Sequence, residues 1–223
     1  MKSDLPRTKV PDLTYRVIPS CYPPIPAFAS VAQAADLNAV MELEGWTNDR
    51  LVKQRVARLA QSEWVYGTPN ASVVMASFLH AAPAGLRFSG PELGAWYAGL
   101  SLNTSIAEVA HHLRRELVNT GKREMSGNYR TYTALHDGSY VDIRGRNSTC
   151  PALYDPVSYA ASQVFGEAVR ASNDNGIVYD SVRLLGGTNV VCHRPRAILS
   201  VTQTTHFEIT VRAVGKILVR PLS

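Results

Sequence analysis

Cysteine is scarce in this chain, and the three that occur, Cys21, Cys150 and Cys192, stand far apart. An odd, scattered set supplies neither a disulfide framework nor the paired Cys/His spacing of a zinc site. A reducing cytoplasm is therefore the expected compartment, and no metal is expected. Long apolar runs are missing as well: nowhere do about 18 apolar residues follow one another, as a membrane span requires. The opening Met1-Lys2-Ser3-Asp4-Leu5-Pro6-Arg7 has no apolar stretch of signal-peptide length, so no membrane association is expected. The chain also lacks GxGxxG, a Walker loop and HExxH, which removes the common nucleotide and metalloprotease signatures. The adjacent His111 and His112 are expected on different sides of a helix. No repeat and no low-complexity tract is found.

What remains is an ordinary globular composition. The 223 residues are 45% hydrophobic and 18% charged, enough for one substantial core, and one domain over residues 1–223 is expected. A formal charge of +5 favours an anionic partner through long-range attraction. The basic residues are scattered; the densest group, Arg114, Arg115, Lys122 and Arg123, reads as a solvated helix end. Basic and aromatic residues do not alternate as on an RNA platform, so direct contact with nucleic acid is not expected.

Periodicity orders the chain. Leu13 to Ile18 alternates like a strand, and a proline-rich connector runs from Cys21 to Pro26. Helical spacing follows in two pieces between Val31 and Ala60, and again from Asn70, as N-cap, to Ala82. Residues 31–82 thus form a helical elaboration. Leu86-Arg87-Phe88 and Ala95 to Ala98 read as a hairpin or close strand pair across a Gly/Pro turn. Ile106, Val109, Ala110, Leu113 and Leu117 then mark an amphipathic helix. Tyr129 to Leu135 and Tyr140 to Ile143 read as strands. Pro156 to Ala171 reads as a helix with Val157, Ala160, Ala161, Val164 and Ala168 inward. Strands at Ile177 to Arg183 and Val190 to Cys192, and two more from Ile198 to Val219, complete the pattern. Helices and strands interleave without a regular βαβ beat, so the fold class is α+β rather than doubly wound.

Four polar residues sit where this pattern does not need them. Arg87 lies between two apolar strand residues and projects away from them; its fork suits a diphosphate. Tyr97 offers an aromatic face for a flat ring. Glu108 has two open readings. It completes a capping box, Ser105-Ile106-Ala107-Glu108, or it is a carboxylate that holds a ribose hydroxyl and steadies positive charge at the anomeric carbon. Ser181 shares a strand face with Tyr179 and can orient a substrate; without a Gly-x-Ser-x-Gly context it is not read as a hydrolase nucleophile.

The order and spacing of these segments, Gly85-Leu86-Arg87-Phe88-Ser89, Trp96-Tyr97, Ser105-Ile106-Ala107-Glu108-Val109 and Gly176-Ile177-Val178-Tyr179-Asp180-Ser181-Val182-Arg183, resemble the RES domain, named for its arginine, glutamate and serine. The resemblance implies a fold like that of ADP-ribosyltransferase toxins, a split mixed sheet with helices around an NAD⁺ cleft. It implies a toxin of a toxin-antitoxin pair that consumes NAD⁺ or transfers ADP-ribose to a cellular protein, such as an enzyme of phosphoribosyl pyrophosphate synthesis. An Xre-like antitoxin covering the cleft is the implied partner. Catalytic roles then fall on Arg87, Tyr97, Glu108 and Ser181. Contacts to the dinucleotide fall on Arg16, Arg87, Tyr97, Ser181 and Asn189. Two features depart from the family: Gly85-Leu86-Arg87-Phe88-Ser89 stands where Gly-Gly-Arg-Trp-Asn is common, and the helical stretch is longer than a minimal domain needs. That stretch could shape a protein-acceptor surface, which favours transfer over simple glycohydrolysis. The rivals are an NAD⁺ glycohydrolase or phosphorylase toxin, a basic ribonuclease-type toxin and a non-catalytic binding module.

Overall fold

The computed structural model describes residues 5–21, 28–29, 36 and 57–222. The two helical pieces expected between Val31 and Ala60 fall outside these residues, apart from Asp36, which is helical, and 57–60, which are not. The described strands are β1 (Arg7–Thr8), β2 (Thr14–Pro19), β3 (Trp96–Gly99), β4 (Glu124–His136), β5 (Tyr140–Asp142), β6 (Gly176–Asp180), β7 (Thr188–Cys192), β8 (Ile198–Arg212) and β9 (Leu218–Leu222). They form one sheet in the order β1-β5-β6-β7-β3-β2-β4-β8-β9. Only β5 and β6 pair in parallel. One parallel pair in an otherwise antiparallel sheet, with helices α1 (Ala71–Leu79), α2 (Leu102–Thr120) and α3 (Ala160–Arg170) packed on it, is the α+β class that the interleaved pattern implies.

Strand registers sort the side chains to two faces. Tyr15 pairs with Gly99, Tyr97 with Val191, and Asn189 with Tyr179. With a side-chain period of two, Tyr15, Val17, Tyr97, Val191, Asn189, Ile177 and Tyr179 share one face, and Thr14, Arg16, Trp96, Val178, Val190 and Cys192 share the other. The second face is covered by α1, whose Met75 and Phe78 are buried against Trp96, Tyr132 and Tyr140. Burying each such side chain stabilises the fold by roughly 1.5–3 kcal/mol. The first face carries two separate cores. Ala110, Leu113 and Leu117 of α2 pack with Val17, Tyr129 and Phe207, while Val169 near the end of α3 packs with Phe88, Ile177, Tyr179 and Val191.

Four local expectations are corrected. Residues 86–88 form no strand: Leu86 and Ser89 make a single isolated bridge, and β3 pairs instead with β7 and β2. Both edges of β3 are already taken, by β7 and by β2, so residues 86–88 have no edge of it to join. Helix α3 turns Ser162, Gly166 and Val169 inward, and leaves Val164 exposed along with Val157 in the preceding loop. The close approach selects small residues, since a Cβ at Gly166 would meet the Phe88 carbonyl oxygen at 2.1 Å. Asn70 holds the expected N-cap position of α1, but in the left-handed region and without a side-chain capping bond; its amide donates to the Val201 carbonyl across the fold. The rings of His111 and His112 lie 5.6 Å apart, edge to face, not on separate sides of the helix.

Candidate active site

Helix α2 starts one turn earlier than the capping-box reading requires. Ser101 is the N-cap, in extended backbone, with its hydroxyl accepting from the Thr104 N–H. Ser105 is instead buried within the helix, where its hydroxyl donates to the Tyr15 carbonyl at 2.5 Å and accepts from the Gly99 N–H at 3.0 Å. Glycine at 99 is what allows this approach of helix to strand: a Cβ there would lie 2.7 Å from the Ser105 hydroxyl. Glu108 therefore stands in the second turn, and its carboxylate has no capping duty.

That carboxylate is held by two other elements. Glu108 Oε1 accepts from the Ser181 hydroxyl at 2.7 Å and from Asn189 Nδ2 at 2.7 Å. Hydrogen bonds to an ionised oxygen are about twice as strong as neutral ones, so one oxygen is pinned. Among the described residues, nothing donates to Oε2. Asn189 is buried in β7. Ser181 lies just past the end of β6, and its oxygen also accepts from the Arg183 and Leu184 N–H groups at 3.0 Å each. With its one proton on Glu108 and its oxygen receiving two backbone donors, Ser181 orients the carboxylate and the loop that follows β6.

Tyr97, on the same sheet face as Asn189, directs its hydroxyl toward the turn that carries Arg87. The phenol oxygen accepts from the Phe88 N–H and lies 3.0 Å from the Ser89 hydroxyl. Burial pushes its pKa up to about 12, against the opposing pull of those two partners, so it stays protonated. Phe88 is further fixed by buried His193, whose Nε2 lies 3.0 Å from the Phe88 carbonyl; the contact requires the proton on that nitrogen. Burial, with Arg170 and Arg194 nearby, holds His193 well below the usual histidine range and neutral.

Arg87 lies in a turn and not in the strand that the spacing implies. It is buried, and Nη1 donates to the carbonyls of Leu153 and Asp155 at 3.1 and 2.9 Å, with the guanidinium 4.7 Å above the Tyr159 ring. Its Nε and Nη2 carry no hydrogen bond among the described residues.

Tyr179, absent from the sequence-derived site, joins the two groups. It is the register partner of Asn189, packs edge-on against Phe88 at 4.8 Å, and is held well above the usual tyrosine range by burial and then by the negative charge of Glu108. Arg87 acts on it in the opposite direction. Glu108, Tyr97, Arg87 and Tyr179 therefore border one seam between the two cores of this face. The signal in the sequence was the i, i+2 relation of Tyr179 to Ser181.

Arg16 is not brought to this seam. Strand alternation sends it to the opposite face, 4.9 Å above the Trp96 ring, with Nη1 donating to the Tyr97 carbonyl at 3.0 Å. Burial lowers its pKa to about 10. Among the described residues, no three His, Cys, Asp or Glu side chains gather as a metal site would need, and no helix is long and apolar enough to cross a membrane.

Residues 54–212 match the RES domain family. The chain belongs to the RES domain family. The matched RES stretch contains Arg87, Tyr97, Glu108, Ser181 and Asn189, whereas Arg16 precedes it. Among solved structures, the crystal structure of the M. tuberculosis MbcT-MbcA toxin-antitoxin complex is similar over 89% of this chain and 86% of that chain, with 12% identity and a TM-score of 0.45. No curated protein matches the chain.

Proposed function

We propose that this RES protein breaks the nicotinamide–ribose bond of NAD⁺ and passes ADP-ribose to a cellular protein, acting as the toxin of a toxin-antitoxin pair with an Xre-like antitoxin. The observation that carries the reading is Glu108: a half-buried carboxylate released from helix capping, with Oε1 bonded to Ser181 and Asn189 and Oε2 unbonded.

In this mechanism Arg87 binds the diphosphate through its unbonded nitrogens, and the Tyr97 ring packs against nicotinamide. Glu108 Oε2 accepts the ribose 2′-hydroxyl and stabilises the positive charge that develops at C1′ as the C1′–N bond lengthens. The bonding pair leaves with nicotinamide, which departs neutral and needs no protonation, so one carboxylate serves where glycosidases commonly use two. A nucleophile then adds to C1′ and gives up its proton. Water as nucleophile makes the protein a glycohydrolase; a protein side chain makes it a transferase. Transfer is favoured by the rim. Leu185, in the loop that begins with Ser181, is fully exposed, and so in large part is Val157 beside Pro156. Exposed apolar side chains around a polar cleft suit a macromolecular acceptor.

The test is to incubate the purified protein separately with NAD⁺ and with total RNA. Release of nicotinamide with intact RNA is the expected result, with ADP-ribose found on cellular proteins by mass spectrometry after expression. Consumption of RNA with unchanged NAD⁺ would replace this reading with the ribonuclease one. No turnover of either would leave a binding module.

A further inference from the structure

A diphosphate carries two charges, and the second cation expected for it, Arg16, faces the wrong side of the sheet. Another arginine stands in its place. The loop after β6 carries Arg183, whose Nη2 donates to the Pro156 carbonyl at 2.7 Å. Arg87, from the turn before β3, donates to the carbonyls of Leu153 and Asp155. Two guanidinium groups from distant parts of the chain are thus seated on one short stretch of backbone, on the successive carbonyls of residues 155 and 156. Successive Cα atoms are about 3.8 Å apart, so the two anchoring carbonyls are one peptide unit apart.

Among the described residues neither arginine makes an ion pair, although Asp155 feels the positive field of Arg87. The one carboxylate on that stretch, Asp155, uses Oδ1 to accept from the Val157 and Ser158 N–H groups at 2.8 Å each. Each arginine commits a single nitrogen to the backbone, and the remaining donors of both are unbonded among the described residues. The positive field of Arg183 reaches His111 and His112, and that of Arg87 and the negative field of Glu108 also reach His112, which places all three charges about the same part of α2. Holding two like charges side by side is unfavourable unless an anion lies between them, and planar forks match phosphate oxygens in pairs.

We propose that Arg183 is the second diphosphate-binding residue of the cleft, paired with Arg87 across the backbone of residues 153–156. The inference rests on the NAD⁺ reading and deepens it: the cleft selects dinucleotides over nucleosides through two guanidiniums, both anchored in advance by main-chain carbonyls.

The experiment is calorimetric titration of ADP-ribose into the wild-type protein, Arg183→Gln and Arg183→Lys, at low and moderate salt, with melting temperatures measured alongside. Glutamine keeps a donor for the Pro156 carbonyl and removes the charge; lysine keeps the charge. Arg183→Gln is expected to lose roughly 10- to 100-fold in affinity with a shallower salt dependence and an unchanged melting temperature, and Arg183→Lys to recover part of the loss. Wild-type affinity in Arg183→Gln would overturn the proposal. So would a loss of affinity accompanied by a lowered melting temperature that lysine does not restore, because Arg183 would then be only a clip for the loop. A wild-type protein that binds no ADP-ribose and releases no nicotinamide would remove the NAD⁺ reading itself, a result distinct from either.

Discussion

The two sides of the candidate site are built in different ways. The Glu108 wall is regular structure: a 19-residue helix seated on β3 through Gly99 and Ser105, with its carboxylate held by β7 and by Ser181, just past the end of β6. The Arg87 wall is turn and loop, held by side chains that reach backbone: the Tyr97 hydroxyl to the Phe88 N–H, Gln163 to the Ala84 and Leu86 carbonyls, Glu167 to the Gly90 N–H, and Arg87 and Arg183 to residues 153–156. In the proposed mechanism the group that meets developing charge, Glu108, is fixed by packed elements, where small displacements cost most. The groups proposed to grip the charged part of the substrate are fixed by polar contacts to main-chain carbonyls.

This contrast can be broken at several points. Ser181→Ala removes one of the two donors to Glu108 and loosens the loop after β6; nicotinamide release is expected to fall roughly 10- to 100-fold, with the Michaelis constant for NAD⁺ changing less. A fall confined to the Michaelis constant would place Ser181 on the binding wall instead. Acid should act next. His136 is buried between the Thr14 hydroxyl and the Tyr140 hydroxyl, and burial lowers its pKa to about 4. The unfolded chain takes up that proton from about pH 6.5 downward, the folded one only near 4. Its contribution to stability is therefore complete above pH 6.5 and declines between 6.5 and 4 by about 3 kcal/mol, with buried His193 acting in the same direction. Urea midpoints measured across that range check this; a flat profile contradicts it. The smallest effect is expected from Ser101→Ala, which should destabilise by about 1 kcal/mol through loss of the cap while leaving turnover per folded molecule intact.

Much of the carboxylate wall was legible in the sequence and much of the arginine wall was not. Helix α2 shows its 3.6-residue period, and Glu108, Ser181 and Asn189 stand in the family's order. The helix start was not legible, because Ser101 and Ser105 are both suitable caps and the second is followed by glutamate at the favoured spacing. A tertiary contact decides between them: the Ser105 hydroxyl is needed against the Tyr15 carbonyl. The face of Arg16 depends on pairing β2 with a strand 80 residues away, which local alternation cannot supply. The inward face of α3 is misread by hydropathy for a similar reason, since a helix pressed against the 85–90 turn has room for Ser162 and Gly166 but not for Val164. Arg183 was not legible as a candidate, because what seats it is a carbonyl 27 residues earlier, and main-chain partners leave no mark on composition.

The most direct measurement of the central claim is nicotinamide release from NAD⁺ by the wild-type protein and by Glu108→Gln, with thermal unfolding of both. The account predicts a loss of at least about 1,000-fold in a variant whose melting temperature is nearly unchanged. Equal release by the two proteins would contradict it.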